Sequence, residues 1–226
     1  MKLLDKFKQT EFGGRYMSDR AFRGKISIYQ GMVINFAYAA FRGVMSIIYG
    51  TSWLIATTIY YFALGLIRLW LCSAYRKRKK RGGIKYEIRC YRITACMLLA
   101  LDIPMGVMIM LFIISDPSAA YPGFTIYASA AYTFYMMTLS IINIFKYKKL
   151  GSPILSAAKC INFIAAAMSM LGLQNALIVK FSSEAASYRV MMNTLTGVGI
   201  YIIVIGIAIY MLKRRMCVKK EVKAIE

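Results

Sequence analysis

The chain has 226 residues, of which 59% are apolar and 17% charged, and its mean hydropathy is +0.55. That is too oily for a water-soluble domain of this size. The net charge of +21, from 30 Lys and Arg against 9 Asp and Glu, would suit a nucleic-acid partner if it were gathered on one folded face. It lies instead between apolar runs, as charge that orients a chain in a bilayer does, so no specific nucleic-acid contact is expected.

Residues 1–27 read as a basic N-terminal segment. Leu3, Leu4, Phe7, Phe12 and Phe22 are interspersed with Lys and Arg, a composition suited to anionic lipid headgroups. The apolar run is too short, and too interrupted by acids, for a cleavable signal. Six apolar stretches follow, each near the roughly 20 residues needed to cross the hydrocarbon: 28–48, 52–72, 93–114, 123–145, 154–179 and 190–212. Irregular backbone cannot face lipid, and the long runs lack the dyad alternation of a barrel, so helices are expected. The predicted fold is all-α, a polytopic membrane protein with a six-helix domain over 28–212, a basic loop over 73–92 and a tail over 213–226.

Charge sets the expected orientation. Seven Lys and Arg fall in residues 1–25, nine in 73–92, three at Lys146, Lys148 and Lys149, and six after residue 212. The turn at 49–51 and the loop at 115–122 have none, and Lys180 and Arg189 are the two in the last connection. Both termini are therefore expected on the cytoplasmic side, N-in and C-in, of what reads as a bacterial plasma membrane.

Cys72, Cys90, Cys96, Cys160 and Cys217 form no CxxC pair, and there is no histidine. Neither a disulfide framework nor a metal site is indicated, the usual proton shuttle is missing, and no cofactor is expected.

Polar residues inside spans are the informative minority, because each needs a partner or a wet cavity. Asn35 and Arg42 are seven apart on one face of helix one. Asp102 is mid-helix three, Asn143 is late in helix four, and Lys159, Asn162, Gln174 and Asn175 lie on helix five. Such groups commonly tie helices together, Arg68 can snorkel to the inner headgroups, and Arg42 can reach the outer interface. Asp102, the one acid well inside a span, must pair with a cation such as Arg42 or Lys159, or carry a proton at neutral pH. Asn35, Tyr60, Tyr61, Asp102, Asn143, Lys159 and Asn162 are the candidates for a substrate or ion path. Arg42, Asp102 and Lys159 are the candidates for a structural ion pair.

Gly197, Gly199 and Gly206, with Ala165–Ala167 and Ala128, Ala130 and Ala131, should permit close helix approach. Pro104 should free a carbonyl near Asp102, and Pro153 reads as the first residue of helix five. The scattered methionines read as packing material.

Asn35, Arg42, Gly50 and Ser52 form a series of an Asn, a basic residue and a Gly-x-Ser turn. Ser152, Pro153, Ile154, Leu155, Ser156 and Ala157 follow Lys148 and Lys149 as a Ser-Pro-x-Leu-x-Ala opening of helix five, and Asn143 falls late in helix four. In this order the chain resembles the transmembrane domain of the cation diffusion facilitators, over roughly residues 28–212 and weakly through helices three and six. The resemblance implies six helices with both ends inside, and a homodimer. It also implies a Zn²⁺ site between helices two and five, at the positions of Tyr61, Gly65, Ile161 and Ala165. No carboxylate or imidazole stands at any of the four, so desolvating a divalent cation there would be prohibitive and no metal site is expected. The C-terminal metal-binding domain of many such transporters is not expected either.

Two functional expectations follow. One is a transporter-like protein without the divalent-metal site, its substrate unknown and of a non-metal or amphipathic kind. The other is a noncatalytic assembly or accessory subunit, with membrane lipids as partners. An enzyme is not expected, because no histidine dyad, paired carboxylates or phosphate-binding glycine loop is present.

Overall fold

The computed structural model describes residues 20–50, 52–78, 80–114, 123–146, 152–181 and 186–213. They form six helices: α1 (Arg20–Tyr49), α2 (Ser52–Lys77), α3 (Gly83–Ile114), α4 (Gly123–Lys146), α5 (Pro153–Phe181) and α6 (Ala186–Lys213). Five have stretches long and apolar enough to cross a membrane: Ile26–Tyr49, Ser52–Lys77, Gly83–Val107, Pro153–Ile178 and Val190–Lys213. In α4 the described apolar stretch is the shorter Ile126–Ile142.

The helices outrun the apolar stretches wherever the sequence turns basic. α1 starts at Arg20 rather than 28, and α3 at Gly83 rather than 93. The segment 73–92, expected as a loop, is therefore mostly helix with a turn around 78–82. Lys and Arg are good helix formers, and helix can continue past the hydrocarbon into the headgroup zone. The turn itself needs Gly82 and Gly83, with φ of 99° and 58°, values a side chain rarely adopts. At the other end of α2 the hairpin turn uses Gly50, with φ of 62°, whose N–H closes on the Ser46 carbonyl at 2.9 Å. Pro153 is the first residue of α5, as expected, with Ser152 before it accepting the Ser156 N–H at 3.1 Å.

The helices associate as α1 with α2, α4 with α5 and α3 with α6, and α5 touches all the others. Its span is 72% buried against 28% for that of α6, which makes α5 the axis of the bundle. The alanines and other short side chains of α5 suit that place, since only short side chains let neighbours approach closely in lipid. Ala157, Ala165 and Ala166 are fully enclosed.

Outward faces carry large apolar groups such as Ile47, Ile59, Ile103, Phe134, Leu195 and Ile202. Polar groups such as Asn35, Arg68 and Asp102 lie within. Such a surface requires a hydrocarbon solvent, and the chain is a helical polytopic membrane protein.

Of the three glycines expected to admit neighbours in α6, only Gly197 does so. A Cβ there would stand 2.7 Å from Ile109 Cγ2 of α3, whereas Gly199 and Gly206 face open space. Gly197→Ala is expected to cost about 1–3 kcal/mol by overpacking. Adding Ile109→Val, which thins the opposing side chain, should recover part of that loss, read as the unfolding midpoint in mixed micelles of increasing dodecyl sulfate content. A midpoint unmoved by Gly197→Ala would contradict the packing.

Candidate functional site

α1, α2, α4 and α5 meet at a cluster of tyrosines. Asn35, Tyr38 and Arg42 lie at i, i+3 and i+7 on one face of α1, and Tyr61, Gly65 and Arg68 lie at i, i+4 and i+7 on one face of α2. The Tyr38 and Tyr132 rings stack with centroids 3.5 Å apart and planes within 3°. Tyr61 stands edge-on to both, at 4.8 Å and 86° from Tyr38 and 5.9 Å and 89° from Tyr132.

The polar tips are bonded within the bundle. Arg42 Nε and Nη2 donate to the Tyr38 hydroxyl oxygen at 3.1 and 2.8 Å. Arg42 is buried, and so does not reach the outer interface as the sequence suggested. The Tyr132 hydroxyl donates to Asn35 Oδ1 at 3.3 Å. Asn35 is 0% exposed, and its Nδ2 has no hydrogen-bond partner. The Tyr61 hydroxyl donates to the Ala165 carbonyl at 3.2 Å, and the Phe36 ring occupies the space beside Gly65, 3.0 Å from where a Cβ would stand. Tyr61, Gly65, Ile161 and Ala165 are thus all buried around a closed, largely apolar junction.

The remaining candidates lie elsewhere. Tyr60 turns from Tyr61 toward α3, where its hydroxyl donates to Met105 Sδ at 3.5 Å. Asp102, also on α3, is 3% exposed and lies within electrostatic reach of Tyr60. Neither Asp102 oxygen has a hydrogen-bond partner, so the ion pair with Arg42 or Lys159 is not formed here. Asn143 falls on α4, and its side chain lies outside the described residues.

Lys159 and Asn162 belong to a third place, a cleft between the first turns of α1, the last third of α2 and the start of α5. Its walls include Ser27, Arg68, Leu155, Lys159 and Asn162. Arg68, expected to snorkel outward, is 1% exposed, and its Nη2 donates to Asn162 Oδ1. Two features of the neighbours hold it inside. Gly31 of α1 leaves space that the guanidinium fills, and Asn162 offers an acceptor at the right depth. The α2–α3 turn is fastened to the same end. Arg78 Nη1 and Glu87 Oε1 pair at 3.2 Å, and the Ser152 hydroxyl donates to Glu87 Oε2 at 2.5 Å.

At the opposite end Asn193 Nδ2 donates to Asn175 Oδ1 at 2.9 Å, and Gln174 Nε2 to the Met192 carbonyl at 3.3 Å. Gln174 and Asn175 therefore tie α5 to α6, the role of interhelical glue.

Tyr38, Tyr132, Gly31 and Arg68 were missed as site residues by sequence reasoning. The i, i+3, i+7 face of α1 and the Tyr61 to Arg68 spacing on α2 were available signals. Tyr132, one aromatic among many on α4, carried none. Among the described residues no three of His, Cys, Asp and Glu come together as a metal site would require. Compared with known protein families and with curated proteins, the chain matches none.

Tyr38→Phe removes one acceptor of a buried guanidinium, and Tyr132→Phe removes one neutral bond. The first should cost about 1.5–3 kcal/mol and the second about 0.5–1.5 kcal/mol. The same unfolding measurement reads both, and equal losses would mean that Arg42 does not depend on Tyr38.

Proposed function

We propose that this chain is a transporter-like membrane protein whose central site is not built for a divalent metal and whose substrate is a non-metal or amphipathic solute. The observation that carries the reading is the meeting of α1, α2, α4 and α5 at Asn35, Tyr38, Tyr61 and Tyr132, with the Asn35 amide nitrogen unpartnered inside the bundle. A polar group left unsatisfied in hydrocarbon is costly and marks a place where something else can bind.

The resemblance to cation diffusion facilitators supports the same four helices as the moving core, a homodimer, and N-in, C-in orientation. At the four positions corresponding to the family's metal ligands, the Tyr61 hydroxyl and the Ala165 carbonyl bond to each other. The junction then represents a closed state, and opening requires α1 and α4 to part at the Tyr38–Tyr132 stack. Asp102, buried beside Tyr60 and without a hydrogen-bonding partner, is the group whose protonation would couple to that movement.

The closed junction also favours a second reading. If the tyrosine cluster never opens, the protein is a noncatalytic subunit held in an assembly by its apolar faces.

The test is uptake by sealed proteoliposomes of amino acids, small organic cations and amphipathic amines, followed with and without a pH gradient. The transporter reading expects saturable uptake of at least one class. It expects about a tenfold loss in Tyr61→Phe, the equivalent of one hydrogen bond, and loss of the pH-gradient effect in Asp102→Asn. If both variants leave every flux intact, the mechanism is abandoned. Absence of any flux, together with stable co-purification of another membrane protein, would select the accessory subunit.

A further inference from the structure

Arg68 is the largest fully buried side chain in the described structure, and it carries a charge that nothing there neutralises. The Arg78–Glu87 pair is the ion pair described, and it lies at the α2–α3 turn. The Arg68 guanidinium is bonded by the neutral Asn162 oxygen, and its Nε is buried with no partner. A cation held in hydrocarbon with one neutral acceptor is strongly disfavoured unless a counter-charge reaches it.

The neighbourhood supplies a way in for one. Arg68 lines the cleft between α1, α2 and α5 together with a second cation, Lys159, the Ser27 hydroxyl and the Asn162 side chain. With Asn162 Oδ1 taken up by Arg68, the Asn162 amide is left to donate through its nitrogen. On α1, Gly24 and Gly31 are seven apart on the face that meets it. A Cβ at Gly31 would collide with the guanidinium, and one at Gly24 would stand 2.7 Å from Leu155 Cδ1. The cleft is narrow, holding little more than a water-sized group between its walls. That suits the leading oxygens of a small anion and not the body of an organic solute.

The geometry points to an anion site in this cleft. A phosphate oxyanion, either free or in an anionic lipid headgroup, is bound by Arg68 and Lys159 with Ser27 and the Asn162 amide as neutral donors. A guanidinium fork matches such an oxyanion better than it matches a spherical ion. The site adjoins the tyrosine junction, with Arg68 within electrostatic reach of Tyr132, but it does not require that the protein transport anything.

The test uses the purified full chain in neutral detergent at constant ionic strength set with chloride. Inorganic phosphate is titrated in one arm. Phosphatidylglycerol is titrated in the other, against phosphatidylcholine, with binding read by calorimetry and by the rise in unfolding temperature. Saturable binding of phosphate, or of phosphatidylglycerol in preference to phosphatidylcholine, is expected. The arm that saturates identifies the source. Lys159→Gln should weaken binding about tenfold, as loss of a charge-assisted bond does. Arg68→Lys, which keeps the charge and loses the fork, should weaken it less than Arg68→Gln. Lys85→Gln, the same charge change on the exposed face of α3, should change it less than about twofold. The proposal is overturned if neither ligand saturates, or if Lys85→Gln and Lys159→Gln weaken binding equally, since that is the behaviour of a diffuse basic surface.

Discussion

In hydrocarbon every polar group of the bundle has to find its partner within the protein, and α5 is where that requirement is met. It supplies the Asn162 oxygen to Arg68 of α2, the Ala165 carbonyl to Tyr61 of α2 and the Asn175 oxygen to Asn193 of α6. Each such bond contributes roughly 0.5–1.5 kcal/mol net, while a buried group left alone costs more than that. The arrangement of helices around α5 therefore follows from which residues it presents at which depth. Its alanines let the neighbours come close, and its few polar groups fix which neighbour stands where.

The same constraint separates the polar interior into three places with different chemistry. Among the described residues the tyrosine junction leaves the Asn35 amide nitrogen without a partner. At the α2–α3 contact a carboxylate, Asp102, is enclosed with neither oxygen hydrogen-bonded. In the basic-end cleft a guanidinium is enclosed beside a second cation, with a neutral acceptor as its bonded partner. An acid and a base are thus kept apart in the described helices rather than joined as a pair.

Much of this was legible in the sequence. Composition and charge spacing gave an all-α membrane protein, and the apolar runs located six helices. Pro153 and Gly50 marked their boundaries because their effects are local. Helix ends were misjudged where they became basic: Arg20 was placed in the N-terminal segment and Lys85 in the loop, yet both belong to helices. The sites depend on neighbours far away in the chain, and there the sequence is nearly silent. Nothing near Arg68 says that a glycine 37 positions earlier would make room for it, or that Asn162 would draw it inward. Asp102 was recognised as an unusual acid, but the distance to Arg42 and Lys159 is set by helix packing alone. Tyr61 was noted as a path candidate and Ala165 as a small packing residue, and both as counterparts of metal ligands, but their mutual hydrogen bond is a tertiary fact.

The junction built from Tyr61, Gly65, Ile161 and Ala165 lacks the carboxylate and imidazole ligands needed to replace the water of a divalent cation. Zn²⁺ movement into sealed proteoliposomes under an imposed pH gradient measures this directly, beside protein-free vesicles and an authentic zinc transporter as a positive control. No saturable flux above the protein-free blank is expected. Saturable Zn²⁺ flux carried by the purified protein would contradict it.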